Sequence, residues 1–116
     1  MKHVIHADNS DFFRKLMRTF LSENGLESEC FETGQEAVDA VAEGRASFVI
    51  TGLSLADMNG EEFLKRLMVL PKKTPVIVVT SNEESDGQQK RLEALGVKKV
   101  ILKSDDWKAE LSKIIK

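Results

Sequence analysis

The sequence predicts a single α/β domain with a five-stranded parallel sheet and helices on both faces. Two observations carry that prediction: short, mostly apolar runs alternate with segments of helical periodicity, and each kind occurs five times. Several of the apolar runs are rich in Val and Ile without polar alternation, which suits strands buried on both faces of a parallel sheet. With 116 residues, 41% of them hydrophobic, the chain suffices for one core and is too short for two. The domain is expected to span 1–116, alone or as one part of a longer protein.

The first strand is Val4-Ile5-His6-Ala7. A helix follows in which Phe12, Phe13, Leu16, Met17, Phe20 and Leu21 recur at helical spacing, with Ser10 or Asp11 as N-cap and Gly25 ending it. Ser28-Glu29-Cys30-Phe31 is the second strand, and Thr33-x-x-Glu36 reads as a capping box before Ala37, Val38 and Val41. Phe48-Val49-Ile50-Thr51 is the third strand. A second box, Asn59-x-x-Glu62, opens a helix carrying Phe63, Leu64, Leu67 and Met68, which Pro71 stops. Val76-Ile77-Val78-Val79 is the fourth strand. The helix after it, within Asn82 to Leu95, has a polar first half interrupted by Gly87, with Leu92, Ala94 and Leu95 as its apolar end. Val97 to Leu102 forms the fifth strand. The last helix begins near Asp105, with acidic residues in its first turn and Trp107, Leu111, Ile114 and Ile115 facing inward.

Charge and cysteine usage narrow the function. The 17 basic and 19 acidic residues leave a formal charge of -2, without the clustered excess of Lys and Arg that a nucleic-acid groove needs. No segment approaches the roughly 18 apolar residues of a membrane span, and the N-terminus lacks the apolar stretch of a signal peptide. Cys30 is the only cysteine, so a reducing, cytoplasmic location is expected, with Cys30 acting as a small buried hydrophobe. In an open parallel sheet, ligands bind beyond the carboxyl ends of the strands. The residues to watch are therefore Asp8 and Asn9, Gly52, Thr80 and Ser81, and Lys103 and Ser104.

Those residues carry a family likeness. Asp8-Asn9 followed by Arg14, the Gly34-x-Glu36-Ala37 helix entry, Leu55-Ala56-Asp57-Met58-Asn59-Gly60, Val78-Val79-Thr80-Ser81 and Gly96 through Lys103 occur in order at fitting spacings. Over essentially its whole length the chain resembles the receiver domains of two-component response regulators, the CheY-like family. The resemblance implies a flavodoxin-like three-layer (βα)5 fold with strand order 2-1-3-4-5. It also implies a pocket built from an acidic pair, a phosphoaccepting Asp, a hydroxyl and a Lys.

Here the chain departs from the pattern. Counting back eight residues from Gly60 places Gly52 at the family's phosphoacceptor position. The acidic pair has become Asp8-Asn9, the aromatic switch position is Val100, and Ser104 follows Lys103 where Pro is usual. Glycine has no side chain with which to attack phosphorus. Mg²⁺ prefers near-octahedral oxygen ligands including carboxylates, and only Asp8 remains of the acids the family supplies. Metal binding is therefore expected to be lost or weak. The leading reading pairs Lys103 with Asp8 across the end of the sheet, because either charge alone would be partly buried and uncompensated. Asp57 is read as a solvated loop carboxylate, not a relocated acceptor. His6 is read as a neutral histidine with a hydrogen-bond partner, and the alternative is a contact sensitive to physiological pH.

Three functions remain open. A degenerate pseudo-receiver would act without catalysis, through protein contact on the face of the fourth helix, fifth strand and fifth helix. That contact would be with a partner, a fused output domain or a second copy. An ordinary phosphoaccepting receiver would have had its acceptor substituted at Gly52. A flavodoxin-like cofactor binder fits least, because His6-Ala7-Asp8-Asn9-Ser10-Asp11 is no Ser/Thr/Gly-rich phosphate loop.

Overall fold

A computed structural model of the chain describes residues 3–81 and 86–115. Its elements alternate as β1 (His3–Ala7), α1 (Asp11–Glu23), β2 (Glu27–Phe31), α2 (Gly34–Ala42), β3 (Phe48–Thr51), α3 (Gly60–Met68), β4 (Val76–Thr80), α4 (Asp86–Ala94), β5 (Val97–Leu102) and α5 (Trp107–Ile115). The strands form one parallel sheet in the order β2-β1-β3-β4-β5. This is the predicted class and strand order.

Side-chain alternation sorts the core into two layers. Val4, Phe48, Ile50, Ile77, Val79 and Ile101 point toward α1 and α5, where they meet Phe13, Met17, Leu21, Trp107 and Leu111. Ile5, Ala7, Val49, Val76 and Val78 point the other way, onto Ala37, Val41, Phe63, Leu64 and Leu92 of α2, α3 and α4. The result is a three-layer sandwich. The expected burial on both faces holds fully for β3 and β4, whereas β2 lies at the sheet edge and is only partly buried.

The caps decide where the helices start. Ser10 is the N-cap of α1, accepting from the Phe13 amide at 3.1 Å. The Glu36 amide donates to Thr33 Oγ1 at 3.3 Å, and the Thr33 hydroxyl, rather than its amide, donates to the Glu36 carboxylate at 2.7 Å. The second box closes on one side only: Asn59 accepts from the Glu62 amide at 2.9 Å, while the Glu62 carboxylate turns to Arg66. α3 ends at Met68, before Pro71. α5 begins at Trp107 rather than near Asp105, because the Asp106 side chain accepts from the Ala109 amide at 3.2 Å and so sits ahead of the helix. Residues 82–85, the expected start of the fourth helix, lie outside the described residues. Gly87 falls inside α4 without interrupting it, Leu92 is buried, and Ala94 is exposed.

Candidate functional site

Main-chain hydrogen bonds just beyond the strands gather the predicted residues at one edge of the sheet. The Asp8 amide donates to Phe31 O at 3.1 Å, Gly52 to Ala7 O at 2.9 Å, and Lys103 to Thr80 O at 2.8 Å. These bonds prolong the β1–β2, β1–β3 and β4–β5 ladders by one residue beyond the strands. Asp8, Asn9, Gly52, Thr80 and Lys103 thereby line one cleft of about 490 Å³, with Ser10 and Ser81 beside them. Val100 is half-buried and packs against the core layer beneath α2, α3 and α4, outside the cleft lining.

Asp8 is the organising group. It is 4% exposed, its Oδ1 accepts from the Ser10 amide at 2.9 Å, and its own carbonyl accepts from Arg14 Nη1 at 2.6 Å. Its Oδ2 lies 3.0 Å from Lys103 Nζ. That oxygen has no aligned hydrogen-bond donor among the described residues, so the contact is an ion pair held by charge rather than by hydrogen-bond direction. Lys103 is held from a second side, since its Nζ stands 4.1 Å from the centroid of the Phe13 ring. The expected Lys103–Asp8 pair is present.

Gly52 shapes this arrangement by what it lacks. A Cβ at position 52 would lie 3.0 Å from Asp8 Oδ2 and 3.3 Å from its Cγ. The Asp8 carboxylate therefore leans over the bare α-carbon, and a side chain there would push it aside. Close approach recurs at Gly60, where a Cβ would come within 2.9 Å of Leu53 Cα, so the loop after β3 folds back tightly only because this residue is glycine.

One expectation is corrected and one is extended. His6 does not have a hydrogen-bond partner: it is fully buried, and neither ring nitrogen has one among the described residues. Its ring meets Phe13 edge-on at 6.0 Å. Burial drives its pKa down to about 4, outweighing the nearby Asp8 charge, while Lys103 and Arg14 lower it further. The ring is neutral at physiological pH and is no switch there. Asp57 is an exposed loop carboxylate, as expected, and has a further role. Its two oxygens accept from the amides of Gly34 at 2.6 Å and Gln35 at 3.1 Å, so it caps α2 from the β3–α3 loop. The Gly34 amide, ahead of the other contacts, lowers its pKa. Asp57 does not line the cleft. Cys30 is half-buried, and burial raises its thiol pKa, so it is not an activated thiolate.

The donor set fits Mg²⁺ poorly. Among the described residues Asp8 is the only carboxylate lining the cleft, and one of its oxygens already faces an ammonium group. No cluster of three acidic, His or Cys side chains suited to a metal occurs among the described residues. Helical spacing marks Phe13 only as part of an apolar stripe and gives Arg14 no partner. That Phe13 supports Lys103, and that Arg14 holds the Asp8 carbonyl, depends on how α1 lies across the strand ends.

A family model described as the response regulator receiver domain matches residues 4–116. The transcriptional regulatory protein YkoG of Bacillus subtilis (strain 168), itself uncharacterized, is 28% identical over 81 residues, which are 70% of this chain and 36% of YkoG. This chain thus matches little more than a third of that relative. Among solved structures, the chemotaxis response regulator CheY4 of Vibrio cholerae superposes with a TM-score of 0.86 at 26% identity, covering 99% of this chain and 96% of that one. The receiver domain of the sensor histidine kinase PA1611 from Pseudomonas aeruginosa PAO1, solved with magnesium in its active site cleft, superposes with a TM-score of 0.86 at 17% identity, covering 98% and 93%. That last likeness is one of fold.

Proposed function

Because this chain belongs to the response regulator receiver domain family, we propose that it is a pseudo-receiver, one that works by protein contact and without phosphorylation. The observation that carries the reading is Gly52. It follows β3 directly, faces Asp8 and Lys103 across the cleft, and offers no nucleophile to a phosphodonor. Three further features support it. Asn9 contributes no carboxylate, the remaining acid is neutralised by Lys103, and Val100 is a stiff aliphatic where the family has a mobile ring. Thr80 becomes a structural hydroxyl, and Lys103 a fixed internal counter-ion to Asp8.

The contact surface proposed for this role is the α4–β5–α5 face. Its charges are partly satisfied within the domain, with Lys99 3.3 Å from Glu110 and Arg91 3.2 Å from Glu61 on α3. Such a mixed-charge surface suits the rim of a transient interface. The partner would be an output module, fused or separate, since YkoG is a regulator more than twice the length of the matched segment. No described helix is long and apolar enough to cross a membrane.

One observation favours a second reading. Asp8, Thr80 and Lys103 still surround position 52, as they would in a receiver whose acceptor alone had been substituted. The cofactor-binding alternative falls with membership of the receiver family. Titration with Mg²⁺ and acetyl phosphate, followed by amide NMR, tests the main reading. Unchanged resonances for Asn9, Gly52 and Lys103 are expected. Saturable shifts at all three, with slow reversal as an acyl phosphate hydrolyses, would overturn it.

A further inference from the structure

The exposed large apolar side chains among the described residues are Phe12, Met68 and Val69, none of them on the α4–β5–α5 face. Two of the three are adjacent at the end of α3, where Met68 is 42% and Val69 82% exposed. The surrounding sequence is basic: from Phe63 to Asn82 there are four Lys or Arg residues and no Asp or Glu. Arg66 is engaged by Glu62 and Gln35, and Lys73 Nζ donates to the Met68 carbonyl. Lys65 and Lys72 have no ion-pair partner among the described residues. The end of α3 is thus an apolar knob ringed by uncompensated positive charge.

The neighbouring helix carries the opposite character. Glu36, Asp39 and Glu43 fall on one side of α2 at spacings of three and four, and line a shallow groove of about 230 Å³ with Phe31 and Ala40. Arg45 also borders the groove, but its guanidinium is already engaged by Glu43 at 2.9 Å and Glu29 at 3.1 Å. The groove keeps an excess of negative charge around an apolar patch.

We propose that these two features are halves of one self-association surface, in which the α3 knob of one copy seats in the α2 groove of another. Both halves lie in this chain, so a second copy satisfies the complementarity without any further partner. α2 and α3 cover the same face of the sheet, and a two-fold axis can therefore close both contacts at once. The knob precedes β4 and so lies at the end of the sheet opposite the cleft. The contact takes from the preceding section only the idea that the domain works by protein contact, and it needs nothing from the chemistry at position 52.

Sedimentation velocity across about 10 μM to 1 mM, the range of weak specific contacts, tests it. The weight-average mass is expected to rise with concentration at low salt and to fall back as added salt screens the exposed charges. A Lys65→Glu/Lys72→Glu chain and an Asp39→Lys/Glu43→Lys chain should each stay monomeric. Mixed in equal amounts they should associate, because each then supplies what the other reversed. Unchanged Trp107 fluorescence would show that both variants are folded. A native chain monomeric throughout at low salt overturns this contact, as does association that survives in either variant alone. Neither result bears on the NMR titration, which tests the pseudo-receiver reading separately.

Discussion

Acid should destabilise this domain well before its carboxylates titrate, and His6 is the reason. The ring is fully buried and has no hydrogen-bond partner among the described residues, so the fold accommodates it only as the neutral form. Its pKa is about 4 in the folded chain against 6.5 when unfolded. Between those values the unfolded state binds a proton that the folded state refuses, so stability rises with pH there. The contribution is complete above pH 6.5 and is lost progressively as pH falls toward 4. At 1.36 kcal/mol per unit, the gap amounts to about 3 kcal/mol, a large share of the roughly 5–15 kcal/mol that hold a domain together. Burial opposes the incoming proton most, Asp8 attracts it, and Lys103 and Arg14 add to the opposition. Urea unfolding read by the single tryptophan, Trp107, buried against Phe13 and Phe20, gives the measurement. At pH 4.5 the native chain should have lost most of that contribution relative to pH 7.5. A His6→Leu chain should be at least as stable at pH 7.5, because two unsatisfied buried nitrogens are gone, and nearly flat over the same interval. Equal acid losses in both chains would refute the reasoning, and so would a native chain indifferent to this range.

Three further outcomes follow from the site. Lys103→Met should cost about 3 kcal/mol by stranding the Asp8 carboxylate, and adding Asp8→Asn should recover most of it; urea unfolding of the three chains checks the coupling. Asp57→Ala should lower the melting temperature and speed hydrogen exchange at the Gly34 and Gln35 amides, since both lose their acceptor. Asp57 is held below its usual pKa, so its contribution is present above about pH 3.8, is lost only as pH falls further, and does not overlap the His6 window. Gly52→Ala should displace the Asp8 carboxylate by a few tenths of an ångström, visible as chemical-shift changes at Ser10 and Lys103 rather than as unfolding.

Much of this molecule was legible along the chain. The Val- and Ile-rich runs identified β3 and β4, Thr33 and Asn59 marked helix starts through side chains that reach three residues ahead, and the ends of the strands brought Asp8, Gly52, Thr80 and Lys103 together. These signals are local, or follow from the strands running parallel. What was not legible involves contacts between distant segments. Asp57 caps a helix whose first residue lies 23 positions earlier, which no local pattern records. His6 seemed to need a partner because buried polar groups usually have one, but the elements around it supply an aromatic edge and charges instead. Asp105 and Asp106 resemble a helical first turn, yet the Asp106 carboxylate bonds ahead to Ala109 and delays α5 to Trp107. The exposure of Met68 follows from α3 ending where it does; the apolar spacing alone had counted it with the core.

Intact mass after incubation with acetyl phosphate and Mg²⁺ tests most directly the claim that position 52 has left the family's chemistry. The native chain should show no adduct, whereas Gly52→Asp, offering a carboxylate beside Lys103, should gain one phosphoryl group once Asp8 has moved aside. A stable phosphoryl adduct on the native chain would contradict the account, and peptide mapping would then identify the residue that took over.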